Sequence, residues 1–205
     1  MTVRLHRGDL PNLSAYKGAV AIDTETMGLE PSRDRLCVVQ LSPGDGSADV
    51  VQIAAGQKKA PNIEKLLADK SILKIFHYAR FDLGMLSKAF GVMAGPVYCT
   101  KIASRLARTY TDKHGLKDLA REVLGVDLSK QQQLSDWGAD ELSDAQVAYA
   151  ATDVLHLHAL KDKLDAMLAR EGRAELAAAC FRFLPDRARL DLAGWAAEDI
   201  FSHSA

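Results

Sequence analysis

Four carboxylates and one phenol, Asp23, Glu25, Asp82, Asp153 and Tyr149, stand in three separated segments, each of a local pattern suited to presenting them. Asp23 and Glu25 close the apolar run Ala19-Val20-Ala21-Ile22. Side chains alternate across a β-strand, so two residues at this spacing project from one side and can share a cation. Tyr149 and Asp153 are four positions apart in a helical stretch, which stacks them on one face about 5–6 Å apart. Asp82 opens a helix just after another apolar strand. Hard divalent cations take oxygen ligands, and magnesium needs only a few carboxylates besides water and phosphate oxygens. Two such ions about 3.5–4 Å apart supply a hydroxide-like nucleophile and neutralise the charge that builds up when a phosphodiester is hydrolysed. Acids converging without a cation would repel one another and hold their protons more tightly. A tyrosine of ordinary pKa, about 10, orients a water rather than acting as a strong base.

Positioning these groups requires strands first and helices afterwards. Apolar runs at Ala19–Asp23, Leu36–Leu41, Asp49–Ile53 and Leu73–His77 read as strands, and Pro43-Gly44-Asp45-Gly46 makes the second and third an antiparallel pair. Pro96–Cys99 adds a short last strand. Helical periodicity follows at Asn62–Ala68, Phe81–Phe90, Thr100–Thr109, Leu116–Leu124 and, unbroken, Asp144–Arg170. Pro185 marks a stop after Leu184. The expectation is an α/β fold, a mixed central sheet flanked by helices.

At 205 residues, with 48% hydrophobic and 26% charged residues, the chain suits one globular domain. A start interrupted by Arg4, His6, Arg7 and Asp9 does not suit a signal peptide, and no apolar run reaches about 18 residues, so a cytoplasmic protein without membrane contact is expected. Cys37, Cys99 and Cys180 read as reduced core thiols. A net charge of −1 argues against gripping a long nucleic acid along its backbone. The most basic stretch runs from Lys101 through Arg105 and Arg108 to Arg121, as a solvated face or a phosphate-contact surface. Trp137 reads as a packing anchor. The segment from Arg170 to Ile200 carries Phe181, Phe183, Leu184, Leu190, Leu192, Trp195 and Ile200, more apolar surface than a small monomer exposes.

Ala21–Thr26, His77–Asp82 and Tyr149–Asp153 resemble the three motifs of the ribonuclease D branch of the DEDD exonuclease superfamily. Lys130–Trp137 is similar to the segment that precedes the third motif there. Tyr149 matches the tyrosine subtype, and Arg33–Leu41 with Lys130–Gln133 resemble the small dinucleotidases called nano-RNase C. The resemblance implies a ribonuclease H-like (DnaQ-like) fold: one 3′-5′ exonuclease domain over residues 1–205, with 171–205 a C-terminal helical tail for packing or oligomerisation. It implies two Mg²⁺ or Mn²⁺ ions. Asp23 would bridge both, Glu25 and Asp153 would hold the nucleophile-side ion, Asp82 would support the second, and Tyr149 would orient the water. Thr24, Leu29, His77 and Lys130 become the substrate contacts, with Leu29 wedged between bases. The implied substrates are 5′-phosphorylated diribonucleotides, cut to nucleoside 5′-monophosphates, with DNA also possible, and the implied assembly is a homo-octamer. Ribonuclease D itself carries helical RNA-binding domains after this one, for which a chain ending at Ala205 leaves no room, so a small substrate is expected. The alternatives are a ribonuclease D-type 3′-end processor or a DNA exonuclease, and an inactive nucleic-acid-binding scaffold.

Overall fold

Six apolar segments pair into one sheet in a computed structural model that describes residues 2–31, 33–129 and 131–203. They are β1 (Thr2–Arg7), β2 (Ala19–Thr26), β3 (Leu36–Ser42), β4 (Ser47–Gln52), β5 (Leu73–Phe76) and β6 (Val97–Cys99), in the order β1-β4-β3-β2-β5-β6. The β2–β3 and β3–β4 pairs are antiparallel, and the other three are parallel. All of β3 is buried, because helices cover both faces of the sheet centre. This is the expected mixed α/β architecture.

The helices are α1 (Pro61–Ala68), α2 (Ala79–Phe90), α3 (Thr100–Ala107), α4 (Leu116–Leu124), α5 (Asp144–Leu155), α6 (Leu157–Arg170) and α7 (Ala174–Leu190). A wide helical segment, Asp191–Trp195, follows and is interrupted at Gly194, whose φ of 108° suits glycine. No helix among the described residues is long and apolar enough to cross a membrane.

Four features differ from the sequence reading. The helix expected over Asp144–Arg170 breaks at His156, because its halves bury different faces. Ala150, Ala151 and Val154 of α5 lie on the sheet, whereas Leu157, Leu160, Leu164 and Leu168 serve α6, which packs on α3 and α4. Pro185 does not stop its helix; it lies within α7, where Phe181, Leu184 and Ala188 are buried and α7 packs on α2 and β6. That packing outweighs one lost backbone hydrogen bond. Thr2–Arg7 forms an unanticipated edge strand, tied to β4 where Asp49 accepts from Arg4 Nε at 2.7 Å and Tyr16 Oη at 2.6 Å and pairs with His6 Nε2 at 2.7 Å. Cys37 and Cys99 are buried free thiols as expected, but Cys180 is only half-buried.

Candidate metal centre

β2 runs between β3 and β5 and ends at the cavity where the acids gather. Its register irregularity falls between Glu25 and Thr26, a local kink of the kind that re-aims side chains beside active sites. On α5, Ser143 and Gln146 form a reciprocal capping box that fixes where the helix starts and thus where Tyr149 and Asp153 emerge. Carboxylate oxygens of Asp23, Glu25 and Asp153 lie within 4.8 Å of one another. Asp82 stands outside that trio, in the first turn of α2, and lines the same cavity of about 330 Å³.

Neighbouring polar groups hold these acids. Thr24 Oγ1 donates to Asp82 Oδ1 at 2.6 Å, so the Thr24 hydroxyl, expected to meet substrate, is engaged in orienting an acid. Gln40, fully buried and directly opposite Asp23 in the β2–β3 ladder, donates from Nε2 to Asp23 Oδ2 at 3.3 Å. Sequence reasoning missed Gln40. Its signal was a lone amide inside the apolar run Leu36–Leu41, a group that needs a buried partner.

The electrostatics are those of a metal site. Burial first, then the charges of Asp82, Asp153 and Glu25, hold Asp23 well above the ordinary carboxylate range. Glu25 is pushed up to about 8, by burial and then by Asp153 and Asp82. Asp82 and Asp153 are raised by burial, against the hydrogen bonds from Thr24 and Tyr149 that favour their charged forms. Burial and the nearby acids also raise the Tyr149 phenol, which therefore stays protonated. Four acids gathered at one cavity, Asp82 buried and Asp23, Glu25 and Asp153 half-buried, fit hard divalent ions, whose charge removes the conflict.

The other expected contacts are scattered around the rim. Leu29 lines the cavity and is 84% exposed, so it is not a core residue. Gly28 makes its turn possible, since a Cβ there would run into the Asp34 carboxylate. His77 lines the cavity too, with Nδ1 2.8 Å from Thr100 Oγ1 and its pKa pushed down to about 3 by burial and then by Lys101. Lys130 lies outside the described residues. Lys101 and Lys117 reach the cavity, and the Lys101 ammonium sits 4.3 Å from the Tyr78 ring centroid. Arg108 fits neither reading of the basic stretch. It is 1% exposed, ion-paired with Glu122 and donating to the Lys113 carbonyl, because it fastens the loop between α3 and α4. Trp137 is buried, its ring centroid 6.1 Å from that of Tyr149.

Comparison with known proteins agrees with this geometry. The 3′-5′ exonuclease family model matches residues 9–169. The chain is 37% identical over 169 residues to ribonuclease D of Gluconacetobacter diazotrophicus, covering 82% of this chain and 42% of that protein. It thus spans about two fifths of the length of the curated relatives it matches. Brucella melitensis NrnC with bound Mg²⁺ is similar over all of both chains, with a TM-score of 0.96 and 64% identity. The same protein bound to pGG gives 0.97 and 65%, again over all of both chains. Escherichia coli RNase D gives 0.75 at 26% identity, over 84% of this chain and 45% of that one. With the family model matched over residues 9–169 and these similarities, the chain belongs to the 3′-5′ exonuclease family, in its ribonuclease D-like DEDD branch and alongside NrnC.

Proposed function

We propose that this chain is a two-metal-ion 3′-5′ exoribonuclease that hydrolyses very short RNA, above all 5′-phosphorylated diribonucleotides, to nucleoside 5′-monophosphates. The carrying observation is the convergence of Asp23, Glu25, Asp82, Asp153 and Tyr149 on one small cavity with an exposed leucine at its mouth. The pGG complex of NrnC supports the substrate class.

In this reading Asp23, Glu25 and Asp153 would hold one Mg²⁺ or Mn²⁺ ion, and Asp23 with Asp82 would hold a second. Bound cations supply a hydroxide-like nucleophile and neutralise phosphate charge. Tyr149, protonated, hydrogen-bonds the attacking water and sets its approach. The water oxygen bonds to phosphorus, the P–O3′ bond breaks, and a proton passes to the departing O3′. Thr24 and Gln40 keep their acids aimed. Leu29 parts the two bases, His77 and Lys130 contact the substrate, and Lys101 and Lys117 offer positive charge to a terminal 5′ phosphate, a charge-assisted contact.

The proposal treats residues 1–205 as one exonuclease domain acting in the cytoplasm, with 171–205 serving packing and assembly. Leu176, Phe183, Trp195 and Phe201 are exposed there and support a homo-oligomer, an octamer by analogy within the family. Light scattering that reports a monomer at micromolar concentration would remove the assembly. The decisive assay uses 5′-phosphorylated RNAs of two to seven nucleotides under single-turnover conditions. Dinucleotides should be cut much faster than seven-mers, and dephosphorylated dinucleotides poorly. Equal rates on the two lengths would leave a general ribonuclease D-type exonuclease, active on RNA ends or DNA. No hydrolysis of any length would leave a binding scaffold.

A further inference from the structure

Two stretches of the chain that the catalytic reading leaves unused, one running into β3 and one ahead of α5, meet at a single side chain. Arg35, half-buried just before β3, donates from Nη1 to the carbonyls of Leu36 and Ile53 and from Nη2 to that of Gly138, each at 3.2 Å. A guanidinium can do this because its five N–H groups point outward in a rigid plane. Leu36 opens β3 and Ile53 follows β4, so one side of the fork grips the paired ends of two central strands. The other side holds residues 136–140, a strap of turns leading to α5. Among the described residues no carboxylate pairs with Arg35, and within the strap Asp136 turns its Oδ1 to the Gly138 N–H at 3.0 Å. Gly138 permits the approach, since a Cβ there would run into Met27 Sδ and stand 3.3 Å from Arg35 Nη2. Gln52, at the end of β4, adds a second hold by donating to the Ala139 carbonyl at 2.8 Å and the Asp140 carbonyl at 3.2 Å.

On its other side the strap is tied to α5. Gln146, whose Oε1 closes the capping box with Ser143, donates from Nε2 to the Asp136 carbonyl at 3.0 Å. Trp137, in the middle of the strap, is 3% exposed and packs on the Tyr149 ring, and Tyr149 follows Gln146 by three positions on the same helix face. The phenol is therefore located by two links, the indole and the start of α5, and both hang on a strap that Arg35 fastens to the sheet carrying Asp23 and Glu25. Arg35 itself does not line the catalytic cavity.

We infer that Arg35 is a positioning residue for the hydrolysis: it fixes residues 136–140 on the β3–β4 end and so, through Trp137, holds the Tyr149 hydroxyl where the attacking water is oriented. This role rests on the exonuclease reading above and belongs to a side chain outside the catalytic cavity. A reacting group misplaced by about 1 Å costs on the order of a hundredfold in rate. Substrate binding, which does not use the Tyr149 hydroxyl, is left alone.

The test measures hydrolysis of a 5′-phosphorylated dinucleotide at rising concentration with Mg²⁺. Arg35→Met, which keeps the stem and loses the fork, should lower the maximal rate about tenfold or more with KM nearly unchanged. Arg35→Lys should not restore it, because one ammonium on a flexible stem cannot span two strand ends and the strap. In Tyr149→Phe, Arg35→Met should cost no more than about twofold further, since the hydroxyl it positions is already gone. A wild-type rate in folded Arg35→Met or in Arg35→Lys, or the same tenfold loss with and without the Tyr149 hydroxyl, overturns the inference. Should Arg35→Met fail to fold by circular dichroism, Arg35→Lys carries both comparisons. A second readout needs no turnover: with Trp195→Phe leaving Trp137 as the one tryptophan, replacing Arg35 should move its emission to the red as the indole gains water. An unmoved emission overturns the inference whatever the activity. A red shift in a protein that cuts nothing even with Arg35 intact would strike the exonuclease reading and leave Arg35 an anchor of Trp137 with no place in a reaction.

Discussion

Gln40 and Asp23 face each other across the β2–β3 ladder, and the Gln40 amide donates to the Asp23 carboxylate at 3.3 Å inside the sheet. The other end of that amide, Oε1, is buried and has no hydrogen-bond partner among the described residues. Gln40→Leu removes the donor and the unsatisfied acceptor together. The Mg²⁺ concentration for half-maximal activity should rise about tenfold or more, the usual scale for losing a group that orients a ligand, while the melting temperature changes little. A metal titration of activity checks this, and an unshifted midpoint would deny Gln40 an orienting role.

Stability should depend on pH in an unusual direction when metal is chelated. Asp23, Glu25, Asp82 and Asp153 all have raised pKa values in the fold, Glu25 up to about 8. A group whose folded pKa lies above its unfolded value, about 4 for these acids, stabilises fully below the unfolded value and loses that contribution as pH rises through the folded one. In EDTA the cluster therefore favours the fold more at pH 5 than at pH 8. Asp23→Asn should flatten this slope and stabilise the chelated protein at pH 8 while abolishing turnover. Thermal melts of both proteins at the two pH values, with EDTA and with Mg²⁺, measure it; identical slopes in EDTA would exclude the cluster as the source.

Tyr149→Phe deletes one hydroxyl and leaves the ring against Trp137. The maximal rate should fall on the order of a hundredfold, with KM nearly unchanged. A large rise in KM at constant rate would instead make Tyr149 a substrate-binding group.

Leu29→Ala separates binding from stability. With 84% of the residue exposed, truncation should alter unfolding free energy by no more than about 0.5 kcal/mol. The loss should appear in kcat/KM for dinucleotides. If unfolding free energy dropped by several kcal/mol with kcat/KM intact, Leu29 would be a packing residue after all.

How far the site was legible depended on whether a local period fixed each residue. The pair Asp23 and Glu25 follows from strand alternation and the pair Tyr149 and Asp153 from the helical turn, so both could be read without any tertiary knowledge. Gln40 required the register of two strands. The hydrogen bond from Thr24 to Asp82 joins a strand to a helix across 58 positions, and nothing near either residue encodes it. The break at His156 was hidden for a related reason: its cause is that α5 and α6 lie on different neighbours, while apolar spacing continues across it. β1 pairs in parallel with β4, and non-local pairings of that kind leave only a short alternation in sequence. The segment Asp191–Ala196 looked like tail because the group it is tied to, Arg80, belongs to a helix half the chain away.

The acid trio also has a consequence in time. Asp23 and Glu25 are on β2 and Asp153 is on α5, so during synthesis the first two ligands emerge long before the third. No nascent chain shorter than α5 holds the complete trio, whatever the cation concentration around it. A cation that needs all three carboxylates therefore finds its full site only after all six strands have been made. Under the exonuclease reading, an emerging chain surrounded by RNA stays unarmed until α5 has been made.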